Sequence, residues 1–244
     1  MKIVIPIAGK SSFFDDKNSP FSKPLIEIQG KSMIQHVIEN ISKIENDFEF
    51  IFIVNSEDCK KYHLHNILKL LSEKSSVVKV SGATKGALCT VLLGIEHINP
   101  NEELIICNGD QIIDCNFNEA LMSFKSKKTD VGLITFKSVH PRWSYVRFDN
   151  ENKNIVETAE KRPISKHAIA GFYYFKKGAD FVYGATKSIE KGADINGLYY
   201  IAPSINQLIL QSKKISAFVI KPEQYHSFYS PQKIREYETQ SNKK

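Results

Sequence analysis

Two lysines and an aspartate occupy positions in this chain where the residue pattern suggests phosphate and metal chemistry. Lys10 and Lys23 flank a loop of small and polar residues that opens Ala8-Gly9-Lys10-Ser11-Ser12 and closes at Lys23-Pro24-Leu25. Amines and exposed backbone N–H groups in such a loop, directly after a buried strand, suit phosphate. Asp110 ends Asn108-Gly109-Asp110, just past the apolar run Glu103 to Cys107. A carboxylate beyond the carboxyl end of a central strand is placed to bind a divalent ion in the crevice there. A third loop, Ser81 to Gly86, leads into Ala87, Leu88, Val91, Leu92 and Ile95 at helical spacing, so its N–H groups and the helix dipole face any polar ligand.

The elements that must position these residues alternate. Ile3, Val4, Ile5 and Ile7 form a β-branched run typical of a strand buried on both faces of a parallel sheet. Ser32 followed by Gln35 reads as a capping box, and Ile34, Val37, Ile38, Ile41 and Ile44 continue as an amphipathic helix. Phe48 to Val54 predicts the next strand, and Asp58 to Ser72 one helix burying Ile67, Leu70 and Leu71. Strand 77–80, the core strand 103–107, helix 117–124 and strand 130–136 complete a βα series. Beyond it the period changes. Tyr145 to Phe148, a turn at Asp149 to Asn152 and Ile155 to Glu157 read as a hairpin. Ala168 to Phe175 and Ile215 to Ile220 are strands, with helices over 179–191 and from about Pro203.

A chain of 244 residues with 42% hydrophobic and 25% charged residues is expected to fold as one α/β domain over residues 1–244. The net charge of +6 comes without a long Lys/Arg block, so no nucleic-acid partner is expected. The four cysteines, Cys59, Cys89, Cys107 and Cys115, show neither CxxC nor metal spacing, which predicts reduced thiols. His63 and His65 stand two apart on a helical pattern and point away from each other, against a shared metal. With neither a signal-like N-terminus nor a membrane-length apolar run, the chain is expected to be cytoplasmic, with no membrane partner. Oligomeric state is not readable.

Ala8-Gly9, Ser12, Phe14 and Lys23-Pro24-Leu25 resemble the opening AGxG[ST]R[LF]…PKPL of the sugar-phosphate nucleotidyltransferases. The family's second glycine is Ser11 here, and its phosphate-binding arginine is Phe13. The resemblance implies a Rossmann-like three-layer sandwich with a mainly parallel central sheet and a β-hairpin-rich acceptor-binding insertion. The nucleotide-binding half would be about 1–137 and the acceptor-binding half about 138–244. It further implies that Ala8, Gly9, Lys10, Ser11 and Ser12 cradle the triphosphate, with Lys23 neutralising it. Ser81 and Gly86 would face the base, Gly86 allowing the ring to approach, while Ser81 stands where many members carry glutamine and so leaves base preference open. Asn108 and Gly109 would line the nucleotide site, and Asp110 would bind Mg2+. Glu160-Lys161-Arg162-Pro163 resembles the family's EKP element, making Glu160 and Lys161 acceptor-binding residues, and Gly171 matches a glycine of the acceptor pocket. Tyr225 to Pro231 resembles W-x-D-x-G-T-P, with Ser227 in place of the second metal-binding aspartate. The metal would then rest on Asp110, phosphate oxygens and water, or on a contribution from His226.

The implied reaction is Mg2+-dependent transfer of a nucleoside monophosphate from a nucleoside triphosphate to a phosphorylated small-molecule acceptor, releasing pyrophosphate, with Lys23 and Asp110 as candidate catalytic residues. A hexose 1-phosphate is the family default. The opening and tail look more like capsule-pathway cytidylyltransferases, including those acting on phosphoglutamine, which favours CTP. A nucleotide-sugar glycosyltransferase or an inactive nucleotide-binding protein are the alternatives, and Asp110-Gln111-Ile112 lacks the DxD pattern of the former.

Overall fold

The structure is a computed structural model that describes residues 1–9, 13–14, 21–149 and 154–241. In chain order the elements are β1 (Lys2–Ile7), the short pair β2 (Glu27–Ile28) and β3 (Lys31–Ser32), α1 (Met33–Ile41), β4 (Glu49–Asn55), α2 (Ser56–Tyr62) and α3 (Leu64–Leu71). There follow β5 (Ser75–Val80), α4 (Ala87–Leu92), β6 (Leu104–Cys107), β7 (Gln111–Ile113), α5 (Phe117–Ser126), β8 (Val131–Lys137), β9 (Ser144–Phe148) and β10 (Ile155–Glu160). The chain closes with β11 (His167–Phe175), α6 (Gly178–Glu190), α7 (Ile201–Ile209), β12 (Ile215–Ile220), β13 (Tyr225–Ser227) and α8 (Pro231–Ser241).

The central sheet runs β10-β9-β11-β6-β1-β4-β5, with β8 and β12 joined through β11. Its core, β6-β1-β4-β5, is parallel. The strand alternation sorts side chains to two faces as a period of two requires. Ile3, Ile5, Phe50 and Phe52 pack with α1, α3 and α5, whereas Val4, Ile51 and Ile53 pack with α4, α6 and α7. Helices on both faces of a mainly parallel sheet make the expected three-layer α/β sandwich. Among the described residues, no helix is long and apolar enough to cross a membrane.

β11 is the strand that joins the two halves. One of its edges is shared: β6 pairs with it at Phe172–Phe175 and β9 at His167–Ala168. Between those stretches its register with β8 shifts, from Ile169 to Tyr173. β6 and β9 therefore part at Gly171, where the parallel core meets the hairpin β9–β10. Crevices at such reversals of strand order are where α/β sheets hold ligands.

Two local expectations are corrected. Helix 58–72 is broken at His63, whose φ of 54° is left-handed, into α2 and α3. That turn rotates the second segment so that Leu64 and Leu68 are buried and Leu70 is 85% exposed, with Ile67 and Leu71 half-buried. The capping box is half formed. Ser32 Oγ accepts from the Gln35 backbone N–H (3.3 Å), but the Gln35 amide donates to Glu39 (2.9 Å) instead of turning back.

Candidate active site

Lys23 opens a single 3-10 turn, Lys23–Leu25, in which Pro24 takes a first-turn position and so gives up no needed N–H. The turn aims the lysine across the end of β6, and its Nζ forms an ion pair with Asp110 Oδ2. Eighty-seven residues of chain separate the two partners. Both side chains are half-buried, and Lys23 also lies 5.9 Å from the centroid of the Phe14 ring. Around the pair, Pro6, Ile7, Gly9, Pro24, Ala87, Asn108 and Gly109 enclose a cleft of about 130 Å³.

A second cleft, of about 520 Å³, adjoins it and shares Pro6, Gly9 and Ala87 as common wall. Ala8, Asn55, Gly82, Thr84, Gly86, Thr90 and Leu198 border this larger space. The three strand-end loops thus converge on one continuous hollow. Lys23, Asp110, Asn108 and Gly109 stand at its narrow end, Gly86 at its broad end, and Gly9 where the two meet. Ser81 is turned aside, its hydroxyl 3.3 Å from that of Ser56. Lys10, Ser11 and Ser12 lie outside the described residues.

Gly86 has a structural duty of its own. At φ 100° and ψ 172° it holds a backbone conformation open almost only to glycine. A Cβ there would lie 2.8 Å from the backbone N of Tyr199. Tyr199 is drawn this close by two hydrogen bonds, its N–H donating to Lys85 O (2.8 Å) and its carbonyl accepting from Leu88 N–H (3.1 Å). One of the first N–H groups of α4 is thereby already satisfied.

Gly171, at φ 58°, is the corresponding close approach on β11. Its carbonyl accepts from the Asn108 backbone N–H (3.0 Å) and from the Gln111 side-chain amide (3.0 Å). Any side chain at 171 would collide with those two residues. Gln111 Oε1 in turn accepts from the Tyr225 hydroxyl (3.1 Å). β13 pairs antiparallel with β7, Ser227 opposite Gln111 and His226 opposite Ile112. The pleat sends His226 to the face opposite Ser227, where its Nε2 meets Asp114 (3.1 Å). His226 is therefore not a substitute for a carboxylate at 227.

Glu160 and Lys161 form a neighbouring group on the hairpin. Ser144 Oγ donates to Glu160, and burial pushes the Glu160 carboxyl above the usual carboxylate range, against the opposing pull of Ser144 and of the Lys161 ammonium. Lys161 Nζ donates to Tyr200 Oη (2.7 Å) and lies over that ring. Tyr200 follows Tyr199, the residue whose backbone closes on Gly86. Arg162 is committed elsewhere, to Glu157 at 2.8 Å.

For a divalent cation the narrow cleft offers one carboxylate, Asp110, beside Asn108 and Gly109, while Ser227 lines a separate cavity with Tyr225, His226 and Tyr229. Mg2+ is commonly held by one or two carboxylates together with substrate phosphates and water, so the narrow cleft fits it. Among the described residues no group of three or more His, Cys, Asp or Glu gathers as a self-sufficient metal cage. The residues that sequence reasoning missed are the walls: Asn55, Thr84 and Thr90. Asn55 carried a signal, since an Asn ahead of Ser-Glu-Asp is a helix N-cap, and it does accept from the Glu57 N–H (2.8 Å).

Comparison with known proteins fits this arrangement. The nucleotidyl transferase family model matches residues 19–200. The bifunctional protein GlmU of Methanocaldococcus jannaschii is 29% identical over 195 residues, 79% of this chain and 44% of that protein. The catalytic subunit beta of mannose-1-phosphate guanylyltransferase from Dictyostelium discoideum is 26% identical over 201 residues, 78% of this chain and 54% of that one. This chain thus spans about half the length of these curated relatives. Among solved structures, the nucleoside-diphosphate-sugar pyrophosphorylase from Vibrio cholerae RC9 superposes with a TM-score of 0.86 at 23% identity, covering 97% of this chain and 99% of that one. A UDP-glucose pyrophosphorylase complexed with UDP-glucose gives 0.75 at 17% identity, over 99% and 98% of the two chains. With a family model spanning most of its length, the chain belongs to the nucleotidyl transferase family.

Proposed function

We propose that this chain moves a nucleoside monophosphate from a nucleoside triphosphate onto a phosphorylated small-molecule acceptor. The observation that carries the reading is the convergence of Lys23, Asp110 and Gly86 on two adjoining clefts with a common wall. The broad cleft has room for a nucleoside, and the narrow one brings a cation and a carboxylate to its phosphates. A phosphate oxygen of the acceptor attacks the α-phosphorus, the bond from that phosphorus to the bridging oxygen breaks, and pyrophosphate leaves. Such a step is mostly positioning and charge neutralisation. The attacking oxygen is already anionic near neutral pH, so the chain needs no general base.

In this scheme Lys23 neutralises the triphosphate, the backbone at Ala8 and Gly9 borders it, and Gly86 with its neighbours lines the nucleoside. Lys161 holds the acceptor's phosphate, Glu160 accepts from its polar groups, and Gly171 keeps Asn108 and Gln111 in place beneath them. Mg2+, when bound, supplies charge neutralisation at the phosphates, and Asp110 is the residue that would hold it.

Relatives named for mannose 1-phosphate and UDP-glucose support a sugar 1-phosphate as the first acceptor to test. The likeness of the opening and tail to capsule-pathway cytidylyltransferases supports CTP as donor and adds phosphoamino acids such as phosphoglutamine to the acceptors. Pyrophosphate release, measured with each triphosphate against a panel of sugar 1-phosphates and phosphoamino acids, tests the reading. Lys23→Ala is expected to lower turnover by about 10²- to 10⁴-fold with the fold intact. Turnover of Lys23→Ala near that of the unmodified chain would refute the assignment.

A further inference from the structure

The loop between β8 and β9 carries a cation that the proposed reaction leaves unused. The Arg142 backbone N–H donates to His140 Nδ1 (3.3 Å), and its guanidinium lies over the ring of Tyr229 and 5.3 Å from the centroid of Trp143. The arginines of the adjacent hairpin, Arg147 and Arg162, are both paired with Glu157 at 2.8 Å. Arg142 is half-buried and, among the described residues, forms no ion pair.

Three tethers fix where this guanidinium stands. Tyr229 follows Phe228, whose N–H donates to the carbonyl of Asp110 (2.7 Å). Trp143, the next residue after Arg142, accepts from the Lys161 N–H (3.0 Å), and Ser144 donates to Glu160. The Tyr229 ring meets Phe13 edge-on at 5.9 Å, in the loop between β1 and Lys23. Arg142 thus sits where the Asp110 strand end, the Glu160–Lys161 corner and the β1 loop come together. A guanidinium lying over an aromatic ring keeps its N–H fork free at the edge, and that fork matches two oxygens of a phosphate. Of this loop, the described residue that meets Tyr229 is the apolar Phe13.

We propose that Arg142 is an anion-binding residue of this site, gripping a substrate phosphate from the hairpin side and supplying the planar cation that Phe13 does not. The inference rests on the nucleotidyltransferase reading for the identity of the substrate. The phosphate belongs either to the triphosphate or to the acceptor, and kinetics separate the two. One charge-assisted hydrogen bond lost to Arg142→Ala corresponds to about 10- to 100-fold in affinity or kcat/KM. A rise in KM confined to the nucleotide assigns the triphosphate, and a rise confined to the acceptor assigns its phosphate. Arg142→Lys, which keeps the charge but not the fork, is expected to recover part of the loss, and Phe13→Arg in the Arg142→Ala background is expected to recover more. Binding of inorganic tripolyphosphate and of inorganic phosphate to the full chain, followed by calorimetry, gives a readout independent of turnover, and Arg142→Ala is expected to weaken one of them about tenfold. If Arg142→Ala melts as the unmodified chain does and binds both anions within about twofold of it, the proposal is overturned. If the unmodified chain binds tripolyphosphate through Arg142 but turns over no pair in the panel, the reaction reading fails and the site stands.

Discussion

Replacing Gly86 by alanine separates two reasons for a glycine at this position, the close approach of a base and the close approach of Tyr199. The torsions of φ 100° and ψ 172° cost a non-glycine residue about 1–3 kcal/mol. A Cβ 2.8 Å from the Tyr199 N forces the segments apart, which breaks the Tyr199 N–H to Lys85 O and Leu88 N–H to Tyr199 O bonds. At about 0.5–1.5 kcal/mol each these add roughly 1–3 kcal/mol. The expected destabilisation is therefore about 2–6 kcal/mol. For a chain of this size it lowers Tm by about 10 °C, at roughly 2–4 °C per kcal/mol. The assay is thermal and urea unfolding of the protein with no nucleotide present, which removes any contribution from a bound base. A Gly86→Ala protein that melts within about 2 °C of the unmodified chain, yet binds nucleotide poorly, would refute the Tyr199 explanation and return the glycine to the base.

The Glu160 carboxyl, raised by burial, makes a signed prediction in pH. A carboxyl whose folded pKa lies above its unfolded value contributes stability below the unfolded pKa and loses it as pH rises through the folded one. The Tm of Glu160→Gln relative to the unmodified chain is thus expected to climb from about pH 4.5 upward and then level off, and a difference flat across that range would contradict it. All four thiols are pushed up by burial, Cys107 and Cys115 to about 12. Native protein at pH 8 is therefore expected to react with iodoacetamide much more slowly than free cysteine, with about one Cys107 thiol in 10⁴ ionised, and rapid labelling of Cys107 found by mass spectrometry would contradict this. Leu68→Ala, in the core under α3, is expected to cost about 2–5 kcal/mol by urea unfolding, against about 0.5 kcal/mol or less for the 85%-exposed Leu70→Ala.

What could be read from the chain alone follows from the range of the interactions involved. The continuously apolar runs of β1 and β4 and the Ser32 cap are set by neighbours a few residues away, so residue type and spacing report them. The break at His63 is equally local but carries no glycine or asparagine to announce it, so the pattern points to the wrong face of α3. The Lys23–Asp110 pair, the Tyr199 backbone against Gly86 and the Gln111 amide on Gly171 link residues from 60 to well over 80 positions apart. Sequence can nominate these residues one at a time. Only the folded sheet shows that the two glycines are held by protein backbone and amide groups. Thr84, Thr90 and Arg142 do not stand out in the chain because their roles come from where the walls meet, and their residue types are common on any surface.

The division of one β11 edge between β6 and β9 has an architectural consequence. Within the sheet, β9 is joined to β11 at His167 and Ala168, whereas the β6-β1-β4-β5 ladder is bonded without it. The hairpin is nonetheless keyed into the body, with Tyr145, Val146, Ile155 and Ala159 buried and Thr158 bonded to Ala202 and Asn206 of α7, so a graft that changes what is presented to the reacting phosphate must keep those inward residues as well as a bare position 171.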